Sequence, residues 1–156
     1  MLIDVTKSMF NGISVWPGDT PFERTVKQNA GFSSSKVVMS LHTGTHMDAP
    51  SHRFPDGITI DQIPPFIVPA LVMCPGNAAG KAVIFNGPIS GNQAEELVKS
   101  GAVLVGTASI SIDFDGSEDA HLAILGAGIP VIENLELGEV EPGEYILMAF
   151  PLKSAG

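Results

Sequence analysis

The segment His42-Thr-Gly-Thr-His46-Met-Asp48-Ala-Pro50-Ser-His52 holds three of the chain's four histidines. Its spacing constrains how the backbone runs there. Positions 42, 46 and 48 share parity, so an extended backbone sends all three side chains to one face. A helix would pair 42 with 46 and turn 48 away. Imidazole and carboxylate together form a donor set for a divalent cation. Gly44 permits close backbone approach between the donors, and Pro50 sets a turn able to bring His52 back toward them. The helical zinc-protease pattern is excluded, because it needs a Glu directly after its first His and Thr43 stands there. The stretch is therefore read as extended backbone leading into irregular chain, and as a candidate metal site.

Outward from this segment, short apolar runs separated by turn residues dominate. Leu2 to Thr6 reads as a short strand, followed by a turn-rich stretch with Asn11-Gly12 and Trp16-Pro17-Gly18-Asp19. Lys36 to Leu41, Ile67 to Cys74, Ala82 to Phe85, Ala102 to Val105, Pro130 to Ile132 and Tyr145 to Phe150 are predicted strands. Between them, Ser90 and Gln93 form a capping-box pattern. Ala94, Leu97 and Val98 give a helical apolar stripe, and Gly101 supplies a left-handed stop. Ser117 is predicted to cap a second short helix ending near Gly126. Strands interrupted by two helices indicate a mixed α/β domain.

With 156 residues, the chain suits one domain spanning 1–156. Hydrophobic residues at 44% and charged residues at 16% exclude a disordered chain. Eight Lys+Arg against 17 Asp+Glu leave a net charge of −9, which speaks against nucleic acid and anionic membrane surfaces as partners. No apolar run approaches the roughly 18–20 residues of a membrane span. Met-Leu-Ile-Asp-Val-Thr-Lys at the start lacks the basic-then-apolar order of a secretory signal. One cysteine, Cys74, excludes an internal disulfide and a cysteine-cluster metal site, and a cytoplasmic location is expected. Cys74, Met39 and Met47 are read as packing residues. Gly76-Asn-Ala-Ala-Gly80-Lys81-Ala82 falls one residue short of a phosphate loop and lacks its Ser/Thr. Gly126-Ala-Gly128 ends a predicted helix, whereas a dinucleotide fingerprint opens one. Both are read as turns.

The histidine segment resembles the His-x-Gly-Thr-His-x-Asp-x-Pro-x-His signature of the cyclase-like metal hydrolases, a family that includes bacterial kynurenine formamidase and isatin hydrolase. Trp16-Pro-Gly-Asp-Thr-Pro21 is similar to the family's N-terminal aromatic loop. Ala120-His121-Leu-Ala-Ile-Leu-Gly126, followed by Val131-Ile-Glu133-Asn-Leu135, is similar to its second metal-binding region, and Tyr145 to Lys153 to its closing strand. The resemblance implies that His42, His46 and Asp48 hold one ion. It implies that His121 and Glu133 add a second, with Asp48 and Glu133 able to bridge. It makes His52 the acid/base residue and places Trp16 in the wall of the substrate pocket. Without the resemblance, His121 is a histidine near a helix start and Glu133 a carboxylate at a strand end.

The implied fold is a swivelling β/β/α domain. The implied assembly is a homodimer or homotetramer with the aromatic loop near a subunit boundary. The implied activity is hydrolysis of a small molecule by metal-activated water: an amide, a formamide (an arylformamide such as N-formylkynurenine), or a cyclic amide or ester. One or two divalent ions would serve, zinc first and manganese as the alternative. The chain also departs from the family pattern. The region from Pro64 to Asn86 is compressed, Ala108 stands where many members carry an aspartate, and the C-terminal extension is missing after Gly156. These departures support a rival reading, a non-catalytic metal- or ligand-binding relative. Retention of His52 opposes it, because a storage site needs no acid/base residue.

Overall fold

Four short apolar runs, each flanked by turns, pack side by side as parallel strands with both faces covered. The computed structural model describes residues 1–154. In chain order the elements are β1 (Glu23–Asn29), β2 (Phe32–Val38), β3 (His46–Asp48), β4 (Phe66–Val72), β5 (Ala82–Phe85), α1 (Gly91–Lys99), β6 (Leu104–Thr107), α2 (Asp119–Gly126), β7 (Val131–Glu133) and β8 (Gly143–Ala149). One-turn 3-10 helices lie at Pro50–His52 and Ile60–Gln62. β1 and β2 form a separate antiparallel hairpin. The other six strands make one sheet in the order β3-β7-β6-β5-β4-β8. Its four central strands are parallel, and β3 and β8 close its two edges antiparallel.

Side-chain alternation divides the core into two layers. Leu71, Val83, Val105 and Val131 face the two helices and meet Ala94, Ala120, Ile124 and Leu125. Ala70, Val72, Ala82, Ile84, Leu104 and Ile132 face the other way. There Leu135, Leu137 and Val140 cover them, joined by Ile3 and Val5 from the N-terminal segment. The capping box of α1 forms as its sequence implies, and Gly101 takes the left-handed conformation that stops the helix, φ +80°. The mixed α/β class and the two helices agree with the sequence reading.

Several element assignments change. Leu2 to Thr6 is not a strand. It is an extended segment tied by single bonds, such as Glu136 N–H to the Val5 carbonyl, so it never joins a ladder. The strand expected at Lys36 to Leu41 lies earlier, as β2, and pairs with β1 in full register from Glu23↔Val38 to Asn29↔Phe32. β1 had no signal in the sequence, because Glu-Arg-Thr-Val-Lys-Gln-Asn buries nothing within one chain. β4 ends at Val72 because Met73 takes a positive φ of 50°, leaving Cys74 beyond the strand. β6 and β7 begin later than predicted, at Leu104 and Val131. β8 runs from Gly143 to Ala149. α2 starts at Asp119 with Glu118 at the cap position, and Ser117 Oγ accepts the Asp119 N–H at 3.2 Å.

Candidate metal centre

β3 and β7 are paired so that His46 lies directly across from Glu133 and Asp48 across from Val131. Residues directly opposite in an antiparallel pair share a face. His46, Asp48 and Glu133 therefore point to the helix side of the sheet, at the carboxyl end of β7. Ligands of α/β sheets bind at such carboxyl ends. His121, in the first turn of α2, meets them from above. Parity thus explains His46 and Asp48, but not His42. Residues 41–45 turn instead of extending, and His42 arrives because Gly44 takes φ +67°.

The resulting cluster is close-set and almost dry. His46 Nε2 lies 3.6 Å from Asp48 Oδ1 and 3.5 Å from Glu133 Oε2. His121 Nε2 lies 3.4 Å from Asp48 Oδ2 and 3.3 Å from Glu133 Oε1. His42 Nδ1 is 3.1 Å from Asp48 Oδ1. Asp48, His121 and Glu133 are buried. Each inner imidazole is anchored through its other nitrogen: His46 Nδ1 to the Gly44 carbonyl at 2.9 Å, and His121 Nδ1 to Asp113 Oδ2 at 2.6 Å. Glu133 Oε1 accepts the Ile112 N–H at 2.6 Å. The Thr45 hydroxyl donates to the Asn134 carbonyl at 2.6 Å and ties the histidine loop to β7.

Two buried atoms test the fit to a cation. His46 Nε2 and His121 Nε2 make no hydrogen bond, although both are sealed from solvent. Buried polar atoms are rarely left so. Two imidazole nitrogens and two carboxylates converge on one space, which is the donor set of a divalent ion once the imidazole protons leave. His46, Asp48 and Glu133 form one set able to grip an ion, and His42, Asp48 and His52 a second set.

The charges bear this out in the metal-free state. Burial acts to raise the Asp48 carboxyl, but the closely set His121, His42 and His46 outweigh it and hold it far below the usual range. Glu133 is held low in the same way, against its burial, by His121 and His46. Burial opposes a charged His121, yet Asp48, Glu133 and Asp113 push it up to about 10. His46 is raised against its burial by Glu133 and Asp48. His52 moves the other way. Burial, with His42, Arg53 and His121, lowers it, and Asp48 only partly compensates.

His52, on the 3-10 turn after Pro50, brings its ring centroid to 4.6 Å from that of His42 and 5.9 Å from that of His121. A cleft of about 640 Å³ opens beside these rings, walled by Met9, Met39, Leu41, Met148, Phe150 and Leu152 among others. The fold thus assembles His42, His46, Asp48, His52, His121 and Glu133. Trp16 is left apart. It is 47% exposed and lies outside the lining of the cleft within one chain. Sequence reasoning missed Asp113, whose carboxylate sits behind His121. No fixed spacing links a loop aspartate to a helical histidine eight positions later.

Residues 3–85, more than half of the chain, match the family described as "Putative cyclase". The chain belongs to the cyclase family. It is similar to the kynurenine formamidase of Salinibacter ruber, at 34% identity over 194 residues, covering 99% of this chain and 92% of that protein. It is also similar to the kynurenine formamidase of Bacillus mycoides, at 33% identity, covering 96% of this chain and 89% of that one. An alignment of 194 positions exceeds the 156 residues here, so that relative carries internal segments this family member lacks. Among solved structures, isatin hydrolase A from Labrenzia aggregata superposes with a TM-score of 0.85 at 19% identity, covering 98% of this chain and 88% of that one. A structure described as a "Potential Metal-Dependent Hydrolase With Cyclase Activity" gives 0.81 at 24%, covering 97% and 90%. These likenesses establish the cyclase fold. Among the described residues, no helix is long and apolar enough to cross a membrane.

Proposed function

We propose that this family member is a metal-dependent hydrolase of small amides, formamides or cyclic amides and esters. The observation that carries the reading is the pair of buried, unpartnered nitrogens, His46 Nε2 and His121 Nε2, facing Asp48 and Glu133. The kynurenine formamidase relatives and isatin hydrolase neighbours support the same class of bond. His42, His46 and Asp48 would hold one ion, and His121 and Glu133 a second, with both carboxylates able to bridge. Zinc suits this imidazole and carboxylate set, and manganese is the alternative. A divalent ion there supplies Lewis acidity and an activated water at neutral pH.

The chain's own residues do the rest. His52 stands at the cleft beside the ligand cluster, and its lowered pKa keeps the ring neutral near pH 7. It is placed to carry a proton to the departing nitrogen or oxygen. The methionine-, leucine- and phenylalanine-rich wall takes an apolar or aromatic group. Among the described residues that line it there is no Lys or Arg. Of the nearby ammonium groups, Lys7 Nζ is bound to Asn134 Oδ1 at 3.2 Å, and Lys153 Nζ to the Asp61 and Ile63 carbonyls. Formyl-arylamines, N-formylkynurenine among them, lactams and lactones all carry an apolar or aromatic group, and a charge on the substrate would be met from outside this chain's lining of the cleft.

The exposed apolar residues Val26, Phe32, Val37 and Val38 of the β1–β2 hairpin, and Ile67, Ile146 and Met148 of β4 and β8, support a homodimer or homotetramer. In such an assembly Trp16 would serve a cleft at the subunit boundary. The single cysteine supports a reducing cytoplasm.

The test is a hydrolysis screen of these compounds with Zn²⁺ or Mn²⁺, repeated with His52→Asn. Turnover by the parent should fall about 10²–10⁴-fold in the variant, with metal content unchanged. Stoichiometric metal with no turnover of any compound would favour a non-catalytic binding protein. Loss of metal from His52→Asn would make His52 a ligand.

A further inference from the structure

The loop between β6 and α2 touches both halves of the second ligand pair without lining the space they enclose. At its end Asp113 is buried, and its two oxygens have separate tasks. Oδ2 receives His121 Nδ1 at 2.6 Å. Oδ1 receives the Ala120 N–H at 2.7 Å, in the first turn of α2. One residue earlier, the Ile112 N–H holds Glu133 Oε1.

Both groups that Asp113 meets are donors when His121 carries its proton on Nδ1. Only a carboxylate presents two acceptors to two donors. That arrangement keeps a proton on Nδ1, so the proton an incoming ion displaces is the one on Nε2, and the neutral ring presents its lone pair at that nitrogen. This is the atom that faces Asp48 and Glu133 and has no hydrogen-bond partner. A partner on the far nitrogen fixes both tautomer and ring orientation of a ligating histidine.

We propose that Asp113 is a positioning residue that sets the His121 tautomer and so prepares Nε2 to hold a divalent ion. This rests on the metal reading above. Asp113→Asn is nearly isosteric but offers one acceptor and one donor. With its oxygen kept on the fixed Ala120 N–H, its NH₂ group faces His121 and favours the tautomer with the proton on Nε2. That proton points into the ion's place.

The experiment measures Zn²⁺ affinity by chelator competition in four proteins: parent, Asp113→Asn, His121→Gln and the double variant. Asp113→Asn should weaken binding by about 10–100-fold, as loss of such a partner does. It should add nothing in the His121→Gln background. An equal loss in both backgrounds would reduce Asp113 to a general structural role and overturn the proposal, as would unchanged affinity in the single variant. A ¹⁵N-edited spectrum of the zinc-loaded parent gives a second readout that no variant's folding can spoil. A proton on His121 Nδ1, assigned by its absence in His121→Gln, is expected, and ligation through Nδ1 refutes the proposal. A parent that binds no zinc would instead defeat the metal reading itself.

Discussion

Metal binding to this protein should release protons at neutral and mildly alkaline pH, and the structure sets how many and over what range. In the metal-free protein Asp48, Glu133 and Asp113 push His121 up to about 10, and His46 is raised as well. An ion can take the imidazole nitrogens only after their protons leave. At pH 7 His121 lies about three pH units below its own titration, so about 4 kcal/mol of binding energy is spent on removing that proton. Apparent affinity should therefore rise about tenfold per pH unit for each proton displaced, and the rise should continue well past the ordinary histidine value near 6.5, levelling off only near the raised pKa of His121. The buried carboxylates thus carry the upper end of that window above the value near 6.5 of an ordinary histidine.

Titration calorimetry with Mn²⁺ at pH 7.0 and 8.0, in two buffers of different ionisation enthalpy, measures the release directly. At least about one proton per protein should appear at both values, and His121→Gln should lower the count. A release near zero, with affinity flat between pH 7 and 8, would refute the reasoning that His121 is both protonated and a ligand. The same linkage has a consequence for stability without metal. The folded pKa of His121 lies above its unfolded value, so this contribution is complete below about pH 6.5 and is lost as pH rises through about 10.

Three substitutions extend the argument. His46→Ala removes a buried ligand and should strip most metal from the protein, as elemental analysis after gel filtration will show. Gly44→Ala forces a side chain onto φ +67° and sets its Cβ 2.6 Å from Met9 Sδ. It should cost about 1–2 kcal/mol and weaken metal binding as well, because the Gly44 carbonyl anchors His46; unchanged affinity would separate the turn from the site. Ile124→Ala empties a fully buried position between α2 and the sheet. It should cost about 2–5 kcal/mol and lower the metal-free Tm by about 4–20 °C, with the ligand set untouched.

What could be read from the sequence was whatever depends on near neighbours. The capping box of Ser90 and Gln93, the stop at Gly101 and the apolar runs of β4 and β5 are local. Residues within a few positions create them whatever the rest of the chain does. Period-two alternation likewise put His46 and Asp48 on one face of β3. The resemblance of residues 120–126 and 131–135 to the family's second metal-binding region joined His121 and Glu133 to them. Other features come only from chain segments meeting. β1 is polar and exposed, so no periodicity marks it, and pairing with β2 alone makes it a strand. His42 reaches Asp48 through the turn at Gly44, a path that parity did not describe. Asp113 became visible only when the β6–α2 loop folded beneath His121. The pKa of His121 is likewise a product of assembly: its sequence neighbours leave it an ordinary histidine, and three carboxylates from β3, β7 and the loop, brought together in a buried space, make it hold its proton until an ion displaces it.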